Sequence, residues 1–347
     1  MLNRTNQRIP YCHYLKRQVF QSKTAPYYFA YGRTALKLGL MHLKLQNSTI
    51  LVPEYICETV IEVFKTLNIS IVYYPLNDNL TPKWEIIESV FNQNIKSILM
   101  VHYFGIPQSI ADFQQFASRK NILLIEDNSH GTFGIIDNQA LGTFGNIGIA
   151  SPRKSFPIIN GGMLYSKTNI EINTFPLEPQ NIPKAIVKNM IGILLDIVPR
   201  FKSLFIKNEY VASYSNIPDY SFDLASHHII ENAKHQITNR VSIYKKWLEW
   251  SQVNELKPLF QKIPKTIAPM CFPLLFDSTE QKERFLHFCN TENIAAFSWP
   301  DLPAELKSTN NSGNDMYNRI LCLPIYYNMN PKKLEKRLEK LTFYHKV

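Results

Sequence analysis

The sequence is short of glycine, of patterned cysteine and of long apolar runs. Only 12 of its 347 residues are glycine; ten of these lie between Gly32 and Gly162, and eight of the ten between Gly105 and Gly162. A chain that avoids glycine elsewhere concentrates it where tight turns or close backbone approach to a ligand are needed, which marks that stretch for chemistry. The five cysteines (Cys12, Cys57, Cys271, Cys289 and Cys322) never form a CxxC pair, which argues against a disulfide framework and a structural zinc site; no metal is expected. The most apolar segment, 182–207, is broken by Lys184, Lys188, Asp196, Pro199, Arg200 and Lys202, so no run of about 18 apolar residues spans a membrane. The first residues lack the apolar core of a signal peptide, and the expected compartment is the cytoplasm.

Acidic residues are also few, 28 against 38 lysines and arginines, giving a net charge of +10. Nucleic acid, acidic lipid, a phosphorylated cofactor and a nucleotide-linked substrate would all be drawn to that field, and a solvated basic surface is the plainer reading. No dense basic run is interleaved with aromatics, so a nucleic-acid partner is not expected. With 45% hydrophobic, 12% aromatic and 19% charged residues the chain is globular. Its length exceeds what one core serves, so a large domain over 1–210 and a smaller one over 211–347 are expected.

Helical spacing over 34–45, 57–67, 84–91 and 110–119 alternates with short apolar strands at 49–52, 69–74, 97–102 and 122–126. This alternation predicts an α/β fold with a mostly parallel, doubly wound sheet. One more strand is expected at 163–165, and helix over 182–206 at least as far as Pro199. Beyond it the pattern changes to a smaller α+β lobe: a long helix over 223–250 with Ile230, Ala233, Ile237, Val241, Tyr244 and Leu248 on one face, strands at 270–276, 294–297 and 320–323, and helices at 279–290 and 331–341.

Ligands of open α/β sheets gather beyond the carboxyl ends of the strands. Three such places carry suggestive residues. Tyr31-Gly-Arg-Thr-Ala35 is a glycine turn opening a helix, whose N–H groups can hold a phosphate. The strand 122–126 ends in acid and leads through Asp127 to His130; a turn-capping Asp and a backbone-satisfied histidine are the plain alternatives. Ser151-Pro-Arg-Lys154 sets a lysine beside a second cation, which lowers an amine's pKa as imine formation requires, although a surface lysine is the commoner outcome. Phosphate cradle, acid and lysine in that order are what pyridoxal phosphate needs.

At this point the chain resembles the DegT-type sugar aminotransferases, fold type I (aspartate aminotransferase-like) pyridoxal phosphate enzymes. The resemblance runs through Gly32-Arg-Thr-Ala-Leu36, Val101-His-Tyr-Phe-Gly105, Ile125-Glu-Asp-Asn-Ser-His130 and Leu141-Gly-Thr-Phe-Gly145 to Lys154, seven and eight residues before Gly161-Gly162. It implies Lys154 as Schiff-base lysine and proton carrier, Asp127 against the pyridine nitrogen, and His130 near the phenolic oxygen. The N–H groups of Arg33 and Thr34 with the Ser151 hydroxyl would hold the phosphate. Where the family has an aromatic residue on the cofactor ring, Cys57 aligns, with Tyr55 two positions earlier. Asn160 stands in place of a glutamate, and Ser298-Trp-Pro-Asp-Leu-Pro303 in place of an Arg-Pro-x-x-His-like element. The resemblance further implies a homodimer, glutamate as amine donor and a keto sugar, free or nucleotide-linked, as acceptor in surface polysaccharide synthesis; a lysine at 154 separates the chain from the dehydratase branch, which has histidine there. Decarboxylation or condensation on the same cofactor, and a non-catalytic membrane-associated scaffold, are the alternatives; for segment 182–207 a subunit or domain interface is preferred over lipid contact.

Overall fold

A computed structural model describes residues 26–29, 31–156, 161–170, 220–327, 329–341 and 343. The expected boundary near 205–220 and the segment 182–207 lie outside them, as does Asn160.

The first half alternates strand and helix: β1 (Tyr27–Phe29), α1 (Gly32–His42), β2 (Thr49–Pro53), α2 (Glu58–Thr66), β3 (Ser70–Tyr74), α3 (Trp84–Val90), β4 (Ile95–Val101), α4 (Ile110–Lys120) and β5 (Leu123–Asn128). A small hairpin of β6 (Ile135–Ile136) and β7 (Gln139–Ala140) follows, then β8 (Ile147–Ala150) and β9 (Gly162–Ser166). Seven strands form one sheet in the order β1-β9-β8-β5-β4-β2-β3. The five strands from β3 to β8 run parallel, whereas β9 is antiparallel to both β8 and β1. The carboxyl ends of β2, β4, β5 and β8 therefore lie on one edge. Central strands of a covered parallel sheet are buried on both faces and read as apolar runs; Ile98, Leu99, Met100 and Ile125 are accordingly fully buried.

Strand β8 is absent from the sequence expectation. Its segment, Gly145-Asn-Ile-Gly-Ile-Ala150, is diluted by glycine, which weakens strand propensity. Packing demands that glycine: a Cβ on Gly148 would stand 2.0 Å from the Gly142 carbonyl oxygen.

The second half holds α5 (Tyr220–Val253), β10 (Cys271–Leu275), α6 (Thr279–Thr291), α7 (Ala304–Lys307), α8 (Ser312–Arg319), β11 (Ile320–Pro324) and α9 (Pro331–Leu338). β10 and β11 pair antiparallel as a two-stranded sheet. The expected strand at 294–297 is not one: it meets β11 only at Phe297 and Cys322, whose backbones exchange two hydrogen bonds. Pro300, which has no N–H for a ladder, follows three residues later.

The buried face of α5 also differs from the apolar stripe. Ala233, Val241 and Tyr244 are buried as the spacing predicts, but Ile237 and Leu248 are only half-buried. The innermost line runs through Gln236 and Arg240 to Ile243 and Trp247. Two polar residues on that line hide it from a hydrophobic count. Arg240 is the reason for one of them: its guanidinium donates to the carbonyls of Ser155 (2.6 Å), Pro269 (3.0 Å) and Ile325 (3.2 Å). Burial lowers its pKa to about 10, so it stays charged at neutral pH, held by backbone dipoles. It thereby ties the turn that carries Lys154 to the second half of the chain. Replacing Arg240 with Met is expected to cost about 1.5–3 kcal/mol, the range for hydrogen bonds to a charged group; urea unfolding of the two proteins measures it.

Candidate active site

The sequence-predicted residues converge on one pocket of about 220 Å³ at the carboxyl edge of the large sheet. It is lined by Gly32 and Arg33 from the start of α1, Cys57 before α2, Asp127 near the end of β5, His130 just after it, and Ser151 and Lys154 after β8. Thr34 is one residue deeper and buried, and is not among the lining residues. Among the other lining residues are Ser129, Arg153 and Trp299, none of which sequence reasoning assigned a role in binding. Trp299 lies far beyond the motifs in sequence, in the stretch 298–303 that stands in place of the Arg-Pro-x-x-His-like element. Tyr55 is fully buried, donates its hydroxyl to the Trp299 carbonyl and does not line the pocket, whereas Cys57 does.

Each side chain is set by its element. In β5 the side chains alternate faces, so Glu126 and Asp127 take different surroundings. Glu126, fully buried, accepts hydrogen bonds from the N–H groups of Gly142 (2.5 Å), Phe144 (2.6 Å) and Gly145 (3.0 Å), and lies 2.9 Å from His102 Nε2. His102 Nδ1 accepts from the Gln108 N–H (3.1 Å), which assigns the ring proton to Nε2 and makes it the donor to Glu126. The motif Leu141-Gly-Thr-Phe-Gly145 is thus a cradle for a structural carboxylate. Asp127 faces the pocket instead; its Oδ1 accepts the Ser129 N–H at 2.9 Å.

His130 is buried, nearly parallel to the Phe104 ring at 6.2 Å and edge-on to Trp299 at 4.5 Å. Its Nδ1 accepts the Phe104 N–H (3.2 Å), so Nε2 carries the proton of the neutral ring. Burial, with the Lys154 charge adding to it, holds its pKa well below the ordinary histidine value. The unfolded chain therefore takes up a proton below about pH 6.5 that the folded chain refuses, and this stability, full above that pH, is lost as pH falls toward the folded value. Thermal melts of cofactor-free protein from about pH 8 down to about pH 5 are expected to show a steeper loss for the wild type than for His130→Gln.

Lys154 closes a single 3-10 turn, Pro152–Lys154. Its own surface opens into the pocket while protein encloses it more widely. Burial lowers its pKa from the ordinary lysine value; Asp127 and Cys57 pull it up and Arg153 pushes it further down. The balance enlarges the fraction of free amine near neutrality.

The pocket fits a phosphorylated ring. Tyr31, the N-cap of α1, is extended and gives no side-chain cap, and the first turn holds no acid. The Thr34 N–H does bond the Tyr31 carbonyl (3.1 Å), but Thr34 Oγ1 is buried with no hydrogen-bond partner. A Cβ on Gly32 would sit 3.8 Å from Ser129 Oγ and 3.7 Å from the Ser151 Cβ, filling the space between two hydroxyl-bearing residues. An orphan hydroxyl, a glycine cradle and a helix start at one place suit a phosphate. Among the described residues no group of three His, Cys, Asp or Glu side chains is placed to hold a metal ion, and no helix is long and apolar enough to cross a membrane.

A parallel sheet with lysine, acid and phosphate cradle at its carboxyl edge defines a fold type I pyridoxal phosphate enzyme. Residues 28–194 match the model of the DegT/DnrJ/EryC1/StrS aminotransferase family. That match covers just under half of the chain, and with it the chain is assigned as a pyridoxal phosphate-dependent aminotransferase similar to that family. Solved structures share the fold at low identity. The pyridoxal phosphate form of Spr1654, a proposed sugar aminotransferase of Streptococcus pneumoniae, superposes with a TM-score of 0.72 at 14% identity, over 94% of this chain and 88% of that one. PseC of Helicobacter pylori, an aminotransferase in pseudaminic acid biosynthesis, gives 0.69 at 14%, over 93% and 92%. GDP-4-keto-6-deoxy-D-mannose-3-dehydratase of E. coli gives 0.67 at 14%, over 94% and 89%.

Proposed function

We propose that this protein moves an amino group from an amino acid, glutamate foremost, to a keto sugar, free or nucleotide-linked, that serves as a precursor of surface polysaccharide. The observation that carries this reading is the convergence of Lys154, Asp127 and His130 on a single pocket that opens at an uncapped helix start. The sugar as acceptor is supported by the family and by what PseC acts in.

Bound in the pocket, pyridoxal phosphate supplies an electron sink for negative charge developing at the carbon that bears the amine. The chain's own residues do the rest. Lys154 Nζ, whose pKa burial lowers, would hold the cofactor covalently and would take and return the proton at that carbon. Asp127 is the carboxylate for the ring nitrogen. His130, neutral and with its proton on Nε2, would donate to the phenolic oxygen. The first turn of α1, Thr34 Oγ1 and Ser151 Oγ would hold the phosphate, and Cys57 with Trp299 would wall the ring. Lysine rather than histidine at 154 favours transamination over dehydration. We take the working unit to be a homodimer, with a large domain over 1–210 and a small one over 211–347; sedimentation showing only monomer at micromolar concentration would count against the dimer.

The test is the absorption spectrum of the protein with pyridoxal phosphate, before and after glutamate, for the wild type and Lys154→Ala. A lysine-dependent visible band that bleaches with glutamate is the expected result. A band that no amino donor bleaches would redirect the assignment to decarboxylation or condensation. No band at all would favour the scaffold.

A further inference from the structure

Arg153 has no role in the chemistry above. It precedes Lys154 on the same 3-10 turn and lines the same pocket. Its guanidinium lies 5.8 Å from the centroid of the Tyr31 ring, over which Arg33 also sits at 4.6 Å. Two cations thus share one ring at the pocket wall. No ion pair or hydrogen bond joins Arg153 to a carboxylate among the described residues. Burial lowers its pKa, and Arg33 pushes the same way. A guanidinium that is exposed at the pocket wall, beside a second cation and without a carboxylate to pair it, is open to an incoming anion. Its planar donor fork matches a carboxylate or phosphate through two parallel hydrogen bonds.

We propose that Arg153 is a specificity-determining residue that binds an anionic group of the substrate, a carboxylate or a phosphate, beside the reacting amine of Lys154. The proposal rests on the functional reading above and deepens it. On the functional reading the cofactor phosphate would have its own place at the start of α1, beside the orphan hydroxyl of Thr34 and the hydroxyl of Ser151. Arg153 is thereby left to a second anion. A substrate anchored there would present its reacting carbon to the neighbouring residue of the same turn.

The experiment compares cofactor-loaded wild type, Arg153→Gln and Arg153→Lys. Calorimetry measures the binding of glutarate and of inorganic diphosphate, each probe alone, and a separate titration gives the affinity for pyridoxal phosphate. The wild type is expected to bind one probe at least about tenfold more tightly than Arg153→Gln, with the lysine variant between them because it keeps the charge and loses the fork. Glutarate as that probe identifies the donor's side-chain carboxylate; diphosphate identifies a phosphate on the acceptor. In turnover, the glutamine variant is expected to raise KM for the anionic substrate about tenfold while leaving KM for alanine as donor unchanged. Equal affinities of wild type and Arg153→Gln for both probes would overturn the proposal. So would a loss confined to pyridoxal phosphate affinity, which would assign Arg153 to the cofactor. If the functional reading fails instead, the wild type shows no lysine-dependent band at all, a result separate from either probe's binding.

Discussion

Lys154→Ala is expected to lose transamination by more than about 10⁴-fold, because on the proposed function one substitution removes both the covalent attachment and the acid-base group. The fold should not suffer. The side chain opens into the pocket, and no described hydrogen bond or ion pair depends on it. Its charge sits beside Arg153 with Asp127 as a partial offset, so its removal leaves the melting temperature of cofactor-free protein unchanged or slightly raised. Single-turnover rates with glutamate and a thermal melt check the two halves of this expectation. Near-normal turnover by the variant would end the assignment.

Glu126→Ala is expected to do the reverse, destabilising the protein by several kcal/mol, since each buried donor left without a partner costs about 1–3 kcal/mol. Four donors converge on that carboxylate: the N–H groups of Gly142, Phe144 and Gly145 and the Nε2 of His102. Removing it strands them in a fully buried site. Against a typical total of about 5–15 kcal/mol this is a large fraction. Asp127→Asn, one residue along, should leave stability nearly unchanged and cut catalysis, since its neutral amide gives the ring nitrogen no charge. Urea unfolding and steady-state rates on the two variants test the pair together. A catalytically crippled but fully stable Glu126→Ala would show that the two acids of this strand have been assigned the wrong way round.

The contrast between Glu126 and Asp127 shows where the sequence is legible. Both stand in one motif, and the period of two in a strand says only that they face opposite ways. Which face carries chemistry depends on what the chain brings to each, and those partners, the loop 142–145 and His102, are distant in sequence. Arg240 and Gln236 make the same point for packing. A hydrophobic stripe places α5 but misorients its innermost line, because a buried guanidinium bonded to three carbonyls looks like a surface residue to any count of apolar side chains.

What the sequence determined by itself was the alternation of helix and parallel strand, the glycine-rich region of chemistry and the order of cradle, acid and lysine. These are local properties, set by periodicity, turn chemistry and residue type. Only the tertiary structure decided that Trp299 walls the pocket, that Tyr55 turns away from it while Cys57 faces in, and that Arg153 opens onto the pocket beside a second cation. The physical reason is that burial and charge pairing are set by groups far apart along the chain, and they become properties of a residue only when the chain has closed around it.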